Sequence, residues 1–266
     1  MENLHDGLRN IKNHILKGEF DDIYVKFSRW CKKSTYFILF QLNRIPPKKA
    51  SQISVVTDYP VAVESLDHIH PHGTKRDNST NIIFCVKIDR LLKQSFPRPF
   101  SSLDLGCAGG GLVEDLKTMG FTAVGLEGSD YSLKHQRAAW KTLANKNLFT
   151  ADITKPFQVL SDGHAAKFHL VTAWEVLEHI VETDLPAVFQ NITNHLQQGG
   201  YFIASTSNSS DTMVGVELHH TQWPNSRWKE WVKTHFEREL EPFDLNFSTD
   251  ELVRFGGDSY LTYRKK

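Results

Sequence analysis

Cysteine is scarce in this chain. Only Cys31, Cys85 and Cys107 occur among 266 residues, and no two have metal-ligand spacing. An odd, scattered set excludes a disulfide framework and fits a reducing compartment, so a cytoplasmic protein is expected. Net charge is absent too: 31 Lys and Arg balance 31 Asp and Glu, with a pI near 7.2. That leaves no global basic field of the kind that gathers nucleic acid. Long apolar runs are missing: the densest, Tyr36-Phe-Ile-Leu-Phe40, follows Lys32 and Lys33 and is too short to span a bilayer. Met1-Glu-Asn-Leu-His-Asp does not read as a signal peptide. There is no repeat and no low-complexity tract. What remains is an ordinary globular composition, 40% apolar and 23% charged, long enough for one large domain or a domain with an extension.

The informative stretch is Ser101-Ser-Leu-Asp-Leu-Gly-Cys-Ala-Gly-Gly-Gly-Leu112. An apolar run ends in a glycine cluster, and helical spacing begins at Leu112, Val113 and Leu116. This is strand, tight turn, helix, the opening unit of a nucleotide-binding α/β sheet. About twenty residues on, Ala123-Val-Gly-Leu-Glu127 reads as a second strand ending in an acid, the place from which a carboxylate accepts ribose hydroxyls. Glu127 is the first candidate and Asp130 the second.

The pattern Asp104-x-Gly106-x-Ala108-x-Gly110 resembles the first motif of class I S-adenosylmethionine (SAM) dependent methyltransferases, with Ala108 where the middle glycine usually stands. The resemblance implies a Rossmann-like fold: a mainly parallel seven-stranded sheet with helices on both faces. It implies SAM as cofactor, held by Asp104, Gly106, Cys107, Ala108, Gly110, Glu127, Gly128, Asp152, Ile153 and Trp174.

Residues 1 to about 45 read as helical, from Leu8, Ile11 and Ile15 to Ile23, Phe27 and Trp30, until Pro46 and Pro47 stop the pattern. Residues 50–78 read as an irregular loop. In an extended chain His68, His70 and His72 share a face, and with Asp67 they are candidates for a substrate lid. The expected organisation is an N-terminal extension with a substrate-side loop over 1–78, and a methyltransferase domain over 79–266. In the second part a helix over 79–95, with Ser79 as N-cap, leads into the first strand. Then come helix 111–119, strand 122–126, helix 131–143, strand 147–150, strand 168–174, helix 182–196, strand 201–205, helix 225–236 and strands near 242–247 and 258–264. Such alternation predicts a parallel sheet covered on both faces.

Ligands in such sheets bind beyond the carboxyl ends of the strands. Four segments fall there: 104–111, 127–130, 151–153 and 174–179. Asp152 is placed to accept from an adenine amino group, with Ile153 against the ring. The fourth strand ends in Trp174-Glu-Val-Leu-Glu-His179. In a helix starting at Glu175, residues Glu175, Glu178 and His179 lie on one face. Two carboxylates and an imidazole there call for a cation of the Mn, Mg, Fe or Zn kind.

This E-x-x-E-H is similar to that of two metal-dependent groups, the small-RNA ribose 2′-O-methyltransferases and the ubiquinone-pathway O-methyltransferases. The resemblance implies a further ligand beyond the fifth strand, for which His219 and His220 are the candidates. It implies that Glu178 and His179 are catalytic, with metal activation of the acceptor hydroxyl or His179 alone as base. Neutral charge, with His and aromatic residues over 67–72 and 219–231, favours a sugar, glycan or other small hydroxyl compound as substrate. Trp223 is a candidate for stacking on it. An RNA ribose acceptor and a SAM-binding module without catalysis are the alternatives.

Overall fold

The computed structural model describes residues 20–45, 51–254 and 259–266. The chain divides into two compact units between Arg44 and Ile45. In the first, one helix runs Phe20–Leu42. Leu8, Ile11, Ile15, Pro46 and Pro47 lie outside the described residues. No described helix is long and apolar enough to cross a membrane. The division falls well before residue 79, so 45–78 belongs to the larger unit.

That unit contains strands β1 Ile53–Val56, β2 Ser101–Leu105, β3 Thr122–Glu127, β4 Leu148–Thr150, β5 Gln158–Ser161 and β6 His164–Ala165. They are followed by β7 Phe168–Trp174, β8 Leu196–Thr206, β9 Thr212–Met213, β10 Val216–Glu217, β11 Leu240–Pro242 and β12 Ser259–Lys265. Seven of these form the main sheet in the order β11-β12-β8-β7-β2-β3-β4. The five from β8 to β4 are parallel, and β12 and β11 close one side antiparallel. The order reverses between β2 and β7, and a crevice opens at the carboxyl ends there.

Both faces of the sheet are covered. Phe202 of β8 meets Phe189 of helix Leu185–His195, with ring centroids 5.7 Å apart. Trp174 of β7 meets Phe84 of helix Ile82–Lys93 at 5.2 Å. Phe202 is in register with Val171, three residues from Trp174, so the two helices lie on opposite faces. This is the expected Rossmann-like architecture. Its strands read as continuous apolar runs because both faces are buried.

Several local expectations are corrected. The helix before β2 starts at Ile82, capped by Asn81 Oδ1 on the Ile83 amide, whereas Ser79 is held by Asp77. The helix expected over 131–143 is two turns, Tyr131–Lys134 and Trp140–Leu143, interrupted by left-handed Gln136 and Ala138. Strand β8 begins at Leu196, with a bulge opposite Phe168–Leu170 around left-handed Gly199. Residues 50–78 are less irregular than expected. β1 pairs with β5, and Leu66–Ile69 and His72–Arg76 are helical turns. His68, His70 and His72 therefore do not share an extended face.

Candidate active site

The turn after β2 is shaped by its backbone. Gly106 has φ +70°, and a Cβ there would sit 2.4 Å from Val176 Cγ2, in the turn after β7. Only glycine lets the two turns of the crevice approach this closely. Ala108 is also left-handed, at φ 44°, a conformation that costs on the order of 1 kcal/mol for a residue with a Cβ. Both its peptide groups are clamped. Its N–H donates to Glu127 Oε2 at 2.7 Å, and its carbonyl accepts from Trp140 Nε1 at 2.7 Å.

Glu127 is thereby fixed at the end of β3. Its Oε1 accepts from the Ser129 amide at 3.2 Å and the Thr74 hydroxyl at 3.4 Å. Burial raises its pKa against the pull of these donors. A carboxylate has about four acceptor sites; three are taken here, so a lone pair on Oε2 remains for a ribose hydroxyl. Asp152, beyond β4, uses Oδ1 to hold the amide and hydroxyl of Thr154 at 2.9 and 2.6 Å.

The turn after β7 departs from expectation. No α-helix starts at Glu175. That residue is left-handed, at φ 54°, and a 3-10 turn runs Leu177–His179. The three side chains therefore do not share a helix face. Glu178 and His179 instead meet His219: one ligand atom from each lies within 4.8 Å of the others, the only such trio among the described residues. Backbone bonds set this up. The Glu178 carbonyl accepts from the Thr221 amide at 2.9 Å, and the Thr221 hydroxyl donates to the Ile180 carbonyl at 2.5 Å, so the 177–180 turn is stapled to 219–221.

The donors suit a cation. Glu178 is fully buried; Oε1 accepts from the Ser207 amide at 2.9 Å, while Oε2 has no hydrogen-bond partner. Burial lifts its pKa to about 8, with His179 opposing and Glu175 adding. His219 Nδ1 lies 2.6 Å from the Ser209 carbonyl, which can only accept. That assigns the proton to Nδ1 and leaves Nε2 its lone pair. His179 Nδ1 is 3.0 Å from Asp67 Oδ2, close enough for an ion pair but without hydrogen-bond alignment. Burial lowers the His179 pKa, but Asp67, Glu178 and Asp211 together outweigh it and raise it to about 9. One carboxylate oxygen and two imidazole nitrogens fit Mn, Mg, Fe or Zn.

A single cavity of about 580 Å³ joins the two ends of this site. Gly106, Ala108, Glu127, Gly128, Asp152, Ile153 and Trp174 line it, together with Asp67, Glu175, His179, His219 and His220. Glu178 is buried and does not line it. Other proposed residues lie outside the wall. Asp104 is buried in β2, bonded to the Thr172 hydroxyl at 2.7 Å, and burial raises its pKa to about 7. Cys107 packs beneath Gly125, and Gly110 is the left-handed N-cap of helix Gly111–Thr118. Asp130 pairs with Lys134 at 2.8 Å. His68, His70 and His72 do not line the cavity, and Trp223 is in the core against Trp228, their rings 4.8 Å apart. Sequence reasoning missed Ala62, Thr74, Ser207, Asp211 and Arg254, which do line it. None belongs to a motif; Thr74 arrives on the helical turn His72–Arg76 and the other four through loops.

A doubly covered parallel sheet with a cavity at its switch point defines a Rossmann-like α/β ligand-binding class. A family model described as a methyltransferase domain matches residues 81–245, and the chain belongs to that family. The ubiquinone biosynthesis O-methyltransferase of Brucella anthropi is 27% identical over 165 residues, covering 60% of this chain and 62% of that protein. Its counterpart in Shewanella pealeana is 31% identical over 121 residues, covering 43% of this chain and 49% of that protein. The chain thus spans less than two thirds of the length of these curated relatives. Among solved structures, a TehB-like SAM-dependent methyltransferase from Corynebacterium glutamicum superposes with a TM-score of 0.50 at 17% identity, covering 74% of this chain and 95% of that one. That likeness establishes the shared fold.

Proposed function

We propose that this chain is a SAM-dependent O-methyltransferase, assisted by a divalent metal, acting on a hydroxyl of a sugar, glycan or other small hydroxylated compound. The observation that carries the reading is that Glu178, His179 and His219 converge, and that His179 and His219 line the same cavity as Gly106, Glu127 and Asp152. SAM supplies an electrophilic methyl on a sulfonium. Glu127 offers its remaining lone pair to a ribose hydroxyl, and Asp152 its remaining oxygen to an adenine amino group. Ile153 is the apolar contact for the ring.

Glu178, His179 and His219 (with His220 and Glu175 as neighbours) would hold the metal, whose Lewis acidity would lower the pKa of an acceptor hydroxyl. Asp67, 3.0 Å from His179 Nδ1, is the carboxylate placed to orient that imidazole. The chain's main catalytic task is then positioning: two ligands held face to face in one enclosed space. The test is a methyl-transfer screen over free sugars, glycosides, catechols and short RNA, with and without Mn²⁺. Turnover of a diol acceptor that stops under EDTA is expected. A rate retained under EDTA removes the metal, and absence of SAM binding removes the whole reading.

A further inference from the structure

The charge of the cavity wall narrows the acceptor; this step rests on the methyl-transfer reading above. Eight carboxylates line the cavity against two fixed cations, Lys155 and Arg254, a net of six negative charges. Arg254 is already engaged: its Nη1 lies 2.9 Å from Asp77 Oδ2 and donates to the Ser79 hydroxyl at 3.1 Å. The imbalance is sharpest where the acceptor would sit. Asp67 stands against His179, and Asp211 contributes to the field on the same ring. Glu175 has a buried Oε1 without a hydrogen-bond partner. No lysine or arginine among the described residues pairs with Glu175 or Asp211. Glu178, 0% exposed and with an unpartnered Oε2, belongs to the trio it forms with His179 and His219.

A divalent ion and a sulfonium together bring three positive charges. A wall with a net of six negative charges has room for more, and carboxylates crowded in a partly enclosed space focus that field. We infer that the acceptor is an amine-bearing hydroxyl compound, an amino polyol in its chemical class. Uncharged diols are poorer acceptors, and anionic ones, phosphodiester chains included, are turned away. Selection of this kind works by repulsion of the wrong partner as much as by attraction of the right one.

The experiment uses matched sets that keep the diol and change only the charge. One is methyl 6-amino-6-deoxyglucoside, methyl glucoside and methyl glucuronide. The other is aminoethyl-, ethyl- and carboxymethyl-catechol. With the Mn²⁺-loaded full chain, kcat/KM is expected to fall in that order, roughly tenfold per unit of charge at low salt, and the gaps to shrink at 0.5 M salt. If none of the six turns over, the same order is read as affinity for the chain saturated with S-adenosylhomocysteine. Asp211→Asn should narrow the amine-to-acid gap several-fold. A flat or reversed order overturns the inference. Calorimetry with SAM alone separates the two failures, since the methyl-transfer reading falls only if SAM does not bind.

Discussion

Asp104→Asn is expected to stabilise the protein at neutral and alkaline pH, and by an amount that depends on pH. Asp104 is 5% exposed, and burial lifts its pKa from 3.8 to about 7; Thr172 opposes the shift, while Asp77 and Glu127 add to it. The unfolded chain ionises this group near 3.8 and the folded chain near 7. Between those values the native state binds one more proton than the unfolded state, so stability falls as pH rises. A shift of about three units corresponds to on the order of 4 kcal/mol, fully expressed above pH 7 and absent below about pH 4. Asparagine mimics the protonated acid: it keeps an oxygen for the Thr172 hydroxyl and carries N–H where the acid carries O–H. The variant should therefore gain on the native protein as pH rises from 5 to 8, by about 8–16 °C in melting temperature at the upper end. Urea unfolding followed by tryptophan fluorescence would measure this, since five of the six tryptophans are in the sheet unit. A difference between the two proteins that is the same at pH 5 and pH 8 would refute the reasoning.

Four further outcomes follow from the site. Glu178→Ala should abolish transfer yet leave SAM affinity within a few-fold, measured by turnover and calorimetry; a lost SAM affinity would mean that the turn collapsed. Glu127→Ala should weaken SAM binding by at least tenfold, and an unchanged affinity would end its ribose role. Gly106→Ala combines a left-handed φ with a 2.4 Å contact to Val176, so roughly 1–3 kcal/mol of stability should be lost; adding Val176→Ala should return the packing part only. Mn²⁺ affinity should rise from pH 6 to pH 8, because His179 and Glu178, with pKa values near 9 and 8, must release protons to ligate. Titrations in buffers of different ionisation heat count those protons, and a count of zero would contradict the ligand assignment.

What the sequence discloses depends on the range of the interaction. The strands of the main sheet are apolar runs between turn signals, and the glycine loop follows one of them directly. Both are local, and most of these elements are where the reading placed them; β8 begins earlier, at Leu196, and the strand expected near 242–247 is Leu240–Pro242. The strand-end rule then put Glu127, Asp152 and His179 on one rim before any contact was known. The parts that could not be read depend on distant partners. β1 becomes a strand only because β5 lies beside it, about a hundred residues later in the chain. Asn81 outcompetes Ser79 as a cap because Asp77 already occupies Ser79. Trp223 looked like a stacking platform until Trp228 closed over it. The left-handed turn at Glu175 has no sequence cue, since no glycine marks it.

Several unfavourable features of the larger unit lie together at the switch point. Ala108 and Glu175 are left-handed without being glycine, and Asp104, Glu127 and Glu178 are buried acids whose pKa values are all raised. All five lie within or just beyond β2, β3 and β7, around the switch point. Left-handed non-glycine residues also occur outside these strand ends, at Gln136, Ala138, Asn145, Asp162, Val214 and Asn246, while the main sheet is covered on both faces. A fold has no use of its own for such a concentration of strain and desolvation, and it persists only because the surrounding sheet over-determines it. On the reading proposed above, two of these costs would fall on binding: a cation would relieve Glu178, and a ribose hydroxyl would meet Glu127. The sheet keeps the rim in a shape that costs free energy when empty, and the part returned on binding is available to hold two ligands in register.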